Sequence, residues 1–205
     1  MDVQELLAVL GQGWVMEACA EVRRRPEAAG RRFASAGRHV GRAPLAGAPG
    51  WRADEAARAA LLAALPPEEL SERLSVLYAE ATAGEKLAVL KALPLLPVGA
   101  EVVPLLEDAI RANDARLLAA ALGPAARHLD QDAWRQAVLK CVFTGVPLDG
   151  VHDLSGRADA ELAAMLAGLA AERAAGGRAM PADAAALLDR LTTATAGRLP
   201  RRGEA

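Results

Sequence analysis

The chain has 205 residues, of which 53% are hydrophobic and 24% are charged, so it can bury a sizeable core and its composition excludes general disorder. Its 24 basic and 26 acidic residues give a formal net charge of −2, which argues against a general nucleic-acid-binding surface, because phosphate neutralisation needs a basic excess. Aromatic residues make up only 3% of the chain, which leaves few platforms for base stacking.

The amino terminus carries Asp2 and Glu5 where a secretory signal would carry basic residues. No apolar run approaches the roughly 20 residues that a membrane span needs, so we expect a cytoplasmic protein that is not inserted in a membrane. The two cysteines, Cys19 and Cys141, fall within separate helical patterns, which favours buried free thiols over a disulfide. No metal-ligand spacing is visible, and we expect no metal or cofactor.

The alanine-rich composition and the scarcity of β-branched alternation predict an all-α fold. A first helix is expected over residues 3–24, with Gly11 and Gly13 interrupting its apolar side. The next helix contains the segment GRRFASAGRHVGR, whose small residues let another backbone approach closely. One face of it carries Phe33, Ala36, Gly37 and Val40.

The same segment concentrates basic side chains in a chain that is otherwise balanced in charge. A solvated basic face is the default interpretation, and the alternative is that the arginines hold a phosphate or carboxylate group. A lone histidine among them implies nothing more. The cluster comprises Arg31, Arg32, Arg38, His39 and Arg42.

The segment WRADEAARAALLAAL begins with a helix-start signal in which Asp54 can act as the N-cap. Arg58 lies beside the apolar stripe of this helix, and its i, i+4 spacing from Asp54 allows an ion pair between them. Pro66 and Pro67 end the helix and start another. That helix is expected to turn four side chains inward: Leu70, Leu74, Leu77 and Tyr78.

From Gly84 onward, short helices with leucine spacing alternate with Pro or Gly, and Pro104 is expected in the first turn of one of them or at a kink. Such helices cannot bury their apolar faces alone, which favours a HEAT-like stack of short antiparallel helix pairs. A compact irregular bundle is the alternative. We predict a single all-helical domain over residues 1–195, whose last helix covers 182–195, followed by a disordered tail over 196–205.

A strongly periodic helix follows Asp130. Leu139 and Phe143 project opposite its main apolar stripe, so the helix is expected to lie between two neighbours. Gln136 and Lys140 point the same way between these faces, and Lys140 either extends along the core to reach water or lines a pocket. The main stripe comprises Trp134, Ala137, Val138, Cys141 and Val142.

The following helix is predicted over residues 158–175, with Asp159 as its N-cap and Gly176-Gly177 as its stop. Its apolar stripe continues onto Arg173. A buried guanidinium is costly unless it is paired, so Arg173 is expected either at the exposed end of the stripe or bonded to an acid. The stripe comprises Leu162, Met165, Leu166, Leu169 and Ala170.

Three segments resemble the EboA family, which is encoded in bacterial ebo gene clusters: RRFASAGRHVGRAPL, WRADEAARAALL and AWRQAVLKCVFTGVPLDGVHDLSGRADAELAAMLAGLAAERAAGGR. Their order spans nearly the whole chain. The resemblance implies a role in making, carrying or exporting a small secondary metabolite. It also implies partners among the proteins of the same cluster, which include a membrane prenyltransferase-like protein.

The resemblance also implies positions that match the family pattern one by one. The chain departs from that pattern at Ala174, where the family usually has an aromatic residue, and at Arg135, where an amide is common. These differences weaken any expectation of an aromatic lining. The matching positions are Phe33, Ser35 and Arg38, then Trp134, Gln136 and Lys140, and finally Arg157, Glu172 and Arg173.

Several of these charges border apolar stripes, which leads to the hypothesis of one concave polar pocket between helices. Its excess of positive charge would suit an anionic or carbonyl-bearing ligand. The predicted lining is Arg38, Arg58, Trp134, Gln136, Lys140, Arg157, Glu172 and Arg173.

Two functions fit such a pocket. The favoured one is non-catalytic binding or scaffolding in a secondary-metabolite pathway, because no nucleophile with a base, metal set or phosphate-binding glycine loop is visible. The alternative is an enzyme of the same pathway in which Lys140 or Glu172 performs acid–base or imine chemistry. On physical grounds alone, Lys140, Glu172 and Arg173 could equally form a buried salt-bridge network.

Overall fold

A computed structural model describes residues 2–11 and 13–198, and within them the chain is helical without strands, which confirms the all-α class. Whether the helices form a HEAT-like stack stays a prediction. Residues 199–205, most of the predicted tail, lie outside the described part of the chain. The helices are α1 Val3–Leu10, α2 Trp14–Arg24, α3 Ala29–Val40, α4 Ala53–Ala63, α5 Pro67–Glu80, α6 Ala83–Ala92, α7 Val103–Arg111, α8 Ala115–Ala121, α9 Gln131–Thr144, α10 Leu154–Arg157, α11 Ala160–Ala175 and α12 Ala182–Arg198.

The chain divides into two compact units, Met1–Ala121 and Leu122–Ala205. The single domain expected over residues 1–195 stays a prediction. Among the described residues, no helix combines the length and apolar character that crossing a membrane requires.

Helix α4 is the centre of the first unit and contacts α1, α2, α3 and α6. Its small alanine side chains let these neighbours approach closely, so every residue from Asp54 to Leu62 is buried. Asp54, Glu55 and Arg58 are therefore carried into the interior with the alanines. Buried charges must be paired, and this requirement shapes the polar site of the unit.

The prediction of a single helix over residues 3–24 is wrong, because the helix is interrupted between α1 and α2. Gly11 and Gly13 adopt φ angles of 79° and 130°, which favour glycine and end a right-handed helix. Two short helices can then pack in different directions. The glycines were visible in the sequence, but the apolar spacing on either side of them suggested continuity.

Two further expectations concern helix starts. Asp54 is not the N-cap of α4; that position belongs to Arg52, whose backbone N–H donates to the Glu55 carboxylate at 3.0 Å. Asp54 lies one step inside the helix, where its carboxylate can face Arg58. Pro104 lies in the first turn of α7, where the missing N–H costs nothing, as expected.

In the second unit, α9 packs on α11 and on the 3₁₀ turn Leu148–Gly150. The predicted apolar stripe is confirmed, and Trp134 at its centre is fully buried. The expected second buried face is wrong, since the Phe143 side chain is 64% exposed. Both cysteines are buried free thiols, as predicted, and burial raises the pKa of Cys141 to about 12.

Helix α11 begins as predicted, with the Asp159 carboxylate accepting the Leu162 N–H at 3.0 Å. The same carboxylate binds Arg135, and this hydrogen bond holds the pKa of Asp159 well below its usual range. The sequence signals for this helix are local, since they involve only a cap residue, an apolar period and a glycine stop. This explains why its bounds were predictable to within two residues.

Candidate functional site

Arg58 is the most deeply buried charged side chain among the described residues, with 3% of its surface exposed. Its Nη1 donates to Asp54 Oδ2 at 2.7 Å, and its Nη2 donates to Glu85 Oε1 at 3.3 Å. Its Nε donates to the Phe33 carbonyl at 3.2 Å, and the guanidinium lies 5.3 Å from the Phe33 ring centroid. One guanidinium thus joins α3, α4 and α6. The pair with Asp54 confirms the i, i+4 expectation.

A second ion pair lies beside this network, between Glu55 of α4 and Lys91 of α6. The Lys91 ammonium also donates to the Gly50 carbonyl and lies 4.6 Å from the Trp51 ring centroid. Gly50 and Trp51 belong to the loop of residues 41–52 that connects α3 with α4. Lys91 therefore attaches this loop to α6.

The loop folds back on itself, which brings its two ends together. Leu45 N–H donates to the Trp51 carbonyl at 2.8 Å, and Ala53 N–H donates to the Ala43 carbonyl at 3.0 Å. An isolated antiparallel bridge joins Pro44 to Arg52. This pairing places Arg42 and Arg52, one from each end of the loop, near the same carboxylate. Their Nε atoms lie 4.0 Å and 3.7 Å from the Asp54 oxygens.

A cleft of about 560 Å³ opens over this network, and we name it the arginine cleft. The side chains of Arg42, Arg52 and Arg116 are 70%, 51% and 61% exposed, so the cations border the solvent. The acids lie deeper. The lining comprises Arg42, Arg52, Asp54, Glu55, Arg58, Thr82, Gly84, Glu85, Leu87 and Arg116.

Two carboxylates at the cleft, Glu85 and Asp114, have lowered pKa values. Burial would raise the pKa of Glu85, but hydrogen bonds from Thr82 and the charge of Arg58 hold it below its ordinary value. The Thr82 hydroxyl donates to Glu85 at 2.8 Å in a capping box that starts α6. At the rim, two hydrogen bonds from Arg116 lower the pKa of Asp114 to about 2. These carboxylates serve as counter-charges at neutral pH.

Two of the eight predicted site residues belong to the first unit. Arg58 lines the arginine cleft, and Arg38 is exposed on α3. The basic cluster predicted around Arg38 does not act as one group. Arg31 and Arg32 both donate to Glu21, at 2.8 Å and 2.6 Å.

In the second unit, the fold brings Trp134 and Arg157 together. The Arg157 guanidinium lies 4.8 Å from the Trp134 ring centroid. Its Nη1 donates to the Ala126 carbonyl at 2.7 Å, its Nη2 to the Leu129 carbonyl at 3.0 Å, and its Nε to Gln131 Oε1 at 3.2 Å. The guanidinium thus donates its hydrogen bonds to neutral acceptors of its own unit.

The other four predicted residues of this unit have different environments. Gln136 and Glu172 are exposed, and Lys140 is half-buried. Arg173 lies at the end of α11, where its Nε donates to the Ala179 carbonyl at 3.0 Å. Exposure of Glu172 argues against a buried salt-bridge network that includes it. Ligand binding by these residues, and catalysis by Lys140 or Glu172, stay predictions.

The sequence interpretation missed most of the arginine cleft. Adjacent acids in an alanine-rich helix were a usable signal, because a helix of small residues is suited to a central position and carries its charges inward. The Thr82-x-x-Glu85 capping box was also readable. Arg42 was named only within the basic cluster, and Lys91 was missed as the partner of Glu55 beside the cleft. The missed lining residues are Arg52, Asp54 as a cleft residue, Glu55, Glu85 and Arg116.

Two other clefts of the first unit lack a buried charged residue. One cleft of about 280 Å³ is bordered by Glu27, Glu69, Glu72 and Glu80, all half-buried or exposed. Another of about 330 Å³ lies beside Trp14. Among the described residues, no group of three or more His, Cys, Asp or Glu is arranged to hold a metal ion. Of these three clefts, the arginine cleft is the one that contains buried charged side chains.

The fold and the arginine cleft define an all-α protein with a polar cleft of small-molecule size. The chain belongs to the EboA family: the family model described as metabolite traffic protein EboA matches residues 40–189. This match confirms the resemblance seen in the sequence, and it includes every residue that lines the cleft. No curated protein and no solved structure matches the chain.

Proposed function

We propose that this protein binds a small metabolite in the arginine cleft and releases it unchanged. The observation that carries the proposal is an open cleft of about 560 Å³ above a floor of buried, mutually paired charges. Small-molecule sites typically occupy about 300–1,000 Å³ and contain a few well-placed polar groups. The description of the family as metabolite traffic proteins supports a carrier of this kind.

The lining suits holding a ligand better than reacting with it. Asp54 is bonded to Arg58, Glu55 to Lys91, and the Thr82 hydroxyl donates to Glu85. Among the described residues that line the cleft there is no Ser, Cys, His or Lys. General acid–base or nucleophilic catalysis needs a group whose proton or lone pair is available to the substrate. Each of these carboxylates already bonds a neighbouring side chain through at least one oxygen, and the buried Asp54 Oδ1 accepts no hydrogen bond.

We further propose that the ligand is an intermediate or product of a secondary-metabolite pathway in the cytoplasm. Membership of the EboA family supports this assignment. The proteins of the same gene cluster, a membrane prenyltransferase-like protein among them, are then the proposed donors or acceptors of the ligand.

Ligand-linked stability tests the binding proposal, because a ligand that binds only the folded state raises the denaturation midpoint. We expect the small-molecule fraction of an extract from the producing cells to raise the midpoint of the wild type. Gly84→Trp should abolish the rise, since Gly84 lines the cleft and a Cβ added there meets no atom within 4 Å. Gly168→Trp is the matched control, because Gly168 is also helical with open space around it. No rise in the wild type, or an equal rise in Gly84→Trp, would overturn the proposal.

Recovery of the ligand separates a carrier from an enzyme. A molecule eluted from the wild type, returned to fresh protein and recovered again should keep its mass. A new mass that forms with the wild type and not with Lys140→Ala would instead support the enzymatic alternative.

A further inference from the structure

We infer that the ligand carries an oxyanion, a carboxylate or phosphate group, and that Arg42 and Arg52 receive it. This inference rests on the proposed function and narrows its ligand to a chemical class.

The first observation is that the loop places the guanidiniums of Arg42 and Arg52 at the cleft while they donate no hydrogen bond to it. Both Nε atoms face Asp54, at separations of 4.0 Å and 3.7 Å that exceed a hydrogen bond. Among the described residues, neither guanidinium donates a hydrogen bond to a protein group. Their donors thus remain available at the mouth of the cleft, and the bridge between Pro44 and Arg52 fixes the backbone that carries them.

The second observation is that the carboxylates of Asp54 and Glu85 do not balance the charges of the neighbouring arginines. Asp54 Oδ2 is already bonded to Arg58 at 2.7 Å, and Glu85 shares the same guanidinium. Three arginines, Arg42, Arg52 and Arg58, therefore face two carboxylates, which leaves one positive charge. A bound oxyanion would balance it, and charge-assisted hydrogen bonds are roughly twice as strong as neutral ones.

The third observation is the contrast with Arg31 and Arg32, which lie earlier in the same segment. Both donate hydrogen bonds to Glu21, and the bond from Arg32 holds the pKa of Glu21 below its usual value. The hydrogen-bond donors of this structural arginine pair are thus satisfied by a carboxylate of the same unit. Arg42 and Arg52 have the same chemistry without the bonded acid, so their acceptor is expected to come from outside the chain.

Arginine side-chain NMR of the full chain tests the inference with two probes of nearly equal shape. Benzoate carries a carboxylate, and benzamide is its neutral counterpart. We expect benzoate to shift the Nε–H signals of Arg42 and Arg52 saturably, with an affinity at least about tenfold above that of benzamide. The double substitution Arg42→Gln/Arg52→Gln should lower the benzoate affinity by about tenfold or more.

The control is Arg25→Gln/Arg111→Gln, which removes two exposed arginines of the same unit that lie outside the cleft lining. It should leave the benzoate affinity unchanged, and unaltered backbone amide spectra check that each variant is folded. Equal affinities for benzoate and benzamide would overturn the inference that the ligand carries an oxyanion. They would not contradict the proposal that the cleft binds a ligand. No shift with benzoate, or an unchanged affinity in the cleft variant, would overturn it too. The extract-induced rise in midpoint separately decides the proposed function.

Discussion

Arg58 and Arg157 are both arginines that hold helices together, but their acceptors differ. Arg58 bonds the carboxylates of Asp54 and Glu85 as well as a carbonyl, whereas Arg157 bonds backbone carbonyls and the Gln131 amide. Neutral acceptors satisfy the hydrogen-bond donors of a guanidinium without placing other charges in the interior. Carboxylate acceptors add negative charges, and each buried carboxylate in turn needs a cation or a hydrogen-bond donor as its partner. The acceptors of these two arginines therefore indicate, more than their burial does, whether a charged site surrounds each of them.

The electrostatics of the two arginines follow this difference. Burial lowers the pKa of the Arg157 guanidinium, and the nearest carboxylates only partly offset it. Arg157 stacks on Trp134 and ties the Ala126 and Leu129 carbonyls to the segment before α11. We interpret it as a structural clamp of the second unit. Its role in ligand binding, suggested by the family pattern, stays a prediction.

The largest effect is expected from Arg58→Met, which keeps the apolar stem and removes the charge. It would leave Asp54 and Glu85 without their shared partner in the interior, at a cost of about 3–5 kcal/mol of unfolding free energy. Urea unfolding monitored by circular dichroism measures this cost. The triple substitution Arg58→Met/Asp54→Asn/Glu85→Gln should recover part of the stability. A loss below about 1 kcal/mol, the value of a surface ion pair, would contradict the pairing described here.

Arg157→Met should cost less, about 1–3 kcal/mol, because it leaves neutral carbonyls unsatisfied and water can reach some of them. The same unfolding measurement applies. The benzoate affinity of the arginine cleft should stay at the wild-type value in this variant. This outcome distinguishes Arg157 from the arginines of the cleft. A large change in that affinity would break the distinction between the structural arginine and the cleft arginines.

Asp159→Ala should cost about 1 kcal/mol at neutral pH, since it removes the N-cap of α11. The pKa of Asp159 is lowered in the folded state, chiefly by its hydrogen bond from Arg135. Its contribution is therefore full above the unfolded pKa of about 4 and is lost as the pH falls through the lower folded pKa. The stability difference between wild type and variant, measured from pH 7 downward, should shrink below about pH 4. A constant difference would show that the carboxylate charge contributes nothing.

Local signals made much of the fold predictable. The Asp159 cap, the glycine stop after α11 and the apolar stripe of α9 each depend on residues within a few turns of one another. Phe143 was misassigned because apolar character alone does not say which face has a neighbour. An exposed phenylalanine and a buried one follow the same period.

The site was less predictable, since its geometry depends on contacts distant in sequence. Lys91 reaches the Gly50 carbonyl and Glu55 across 41 and 36 positions. The loop that presents Arg42 and Arg52 has no period from which its course could be inferred. The sequence placed Arg58 beside Asp54 correctly, because that pair is one helical turn apart.

Native mass spectrometry of the protein isolated from the cells that produce it tests directly whether the arginine cleft holds a small molecule. We expect the wild type and Gly168→Trp to retain an added mass of small-molecule size. Gly84→Trp, which adds a bulky side chain at a lining position of the arginine cleft, should be found without that mass. A wild type that never carries a small molecule, or a Gly84→Trp variant that carries as much as the wild type, would contradict it.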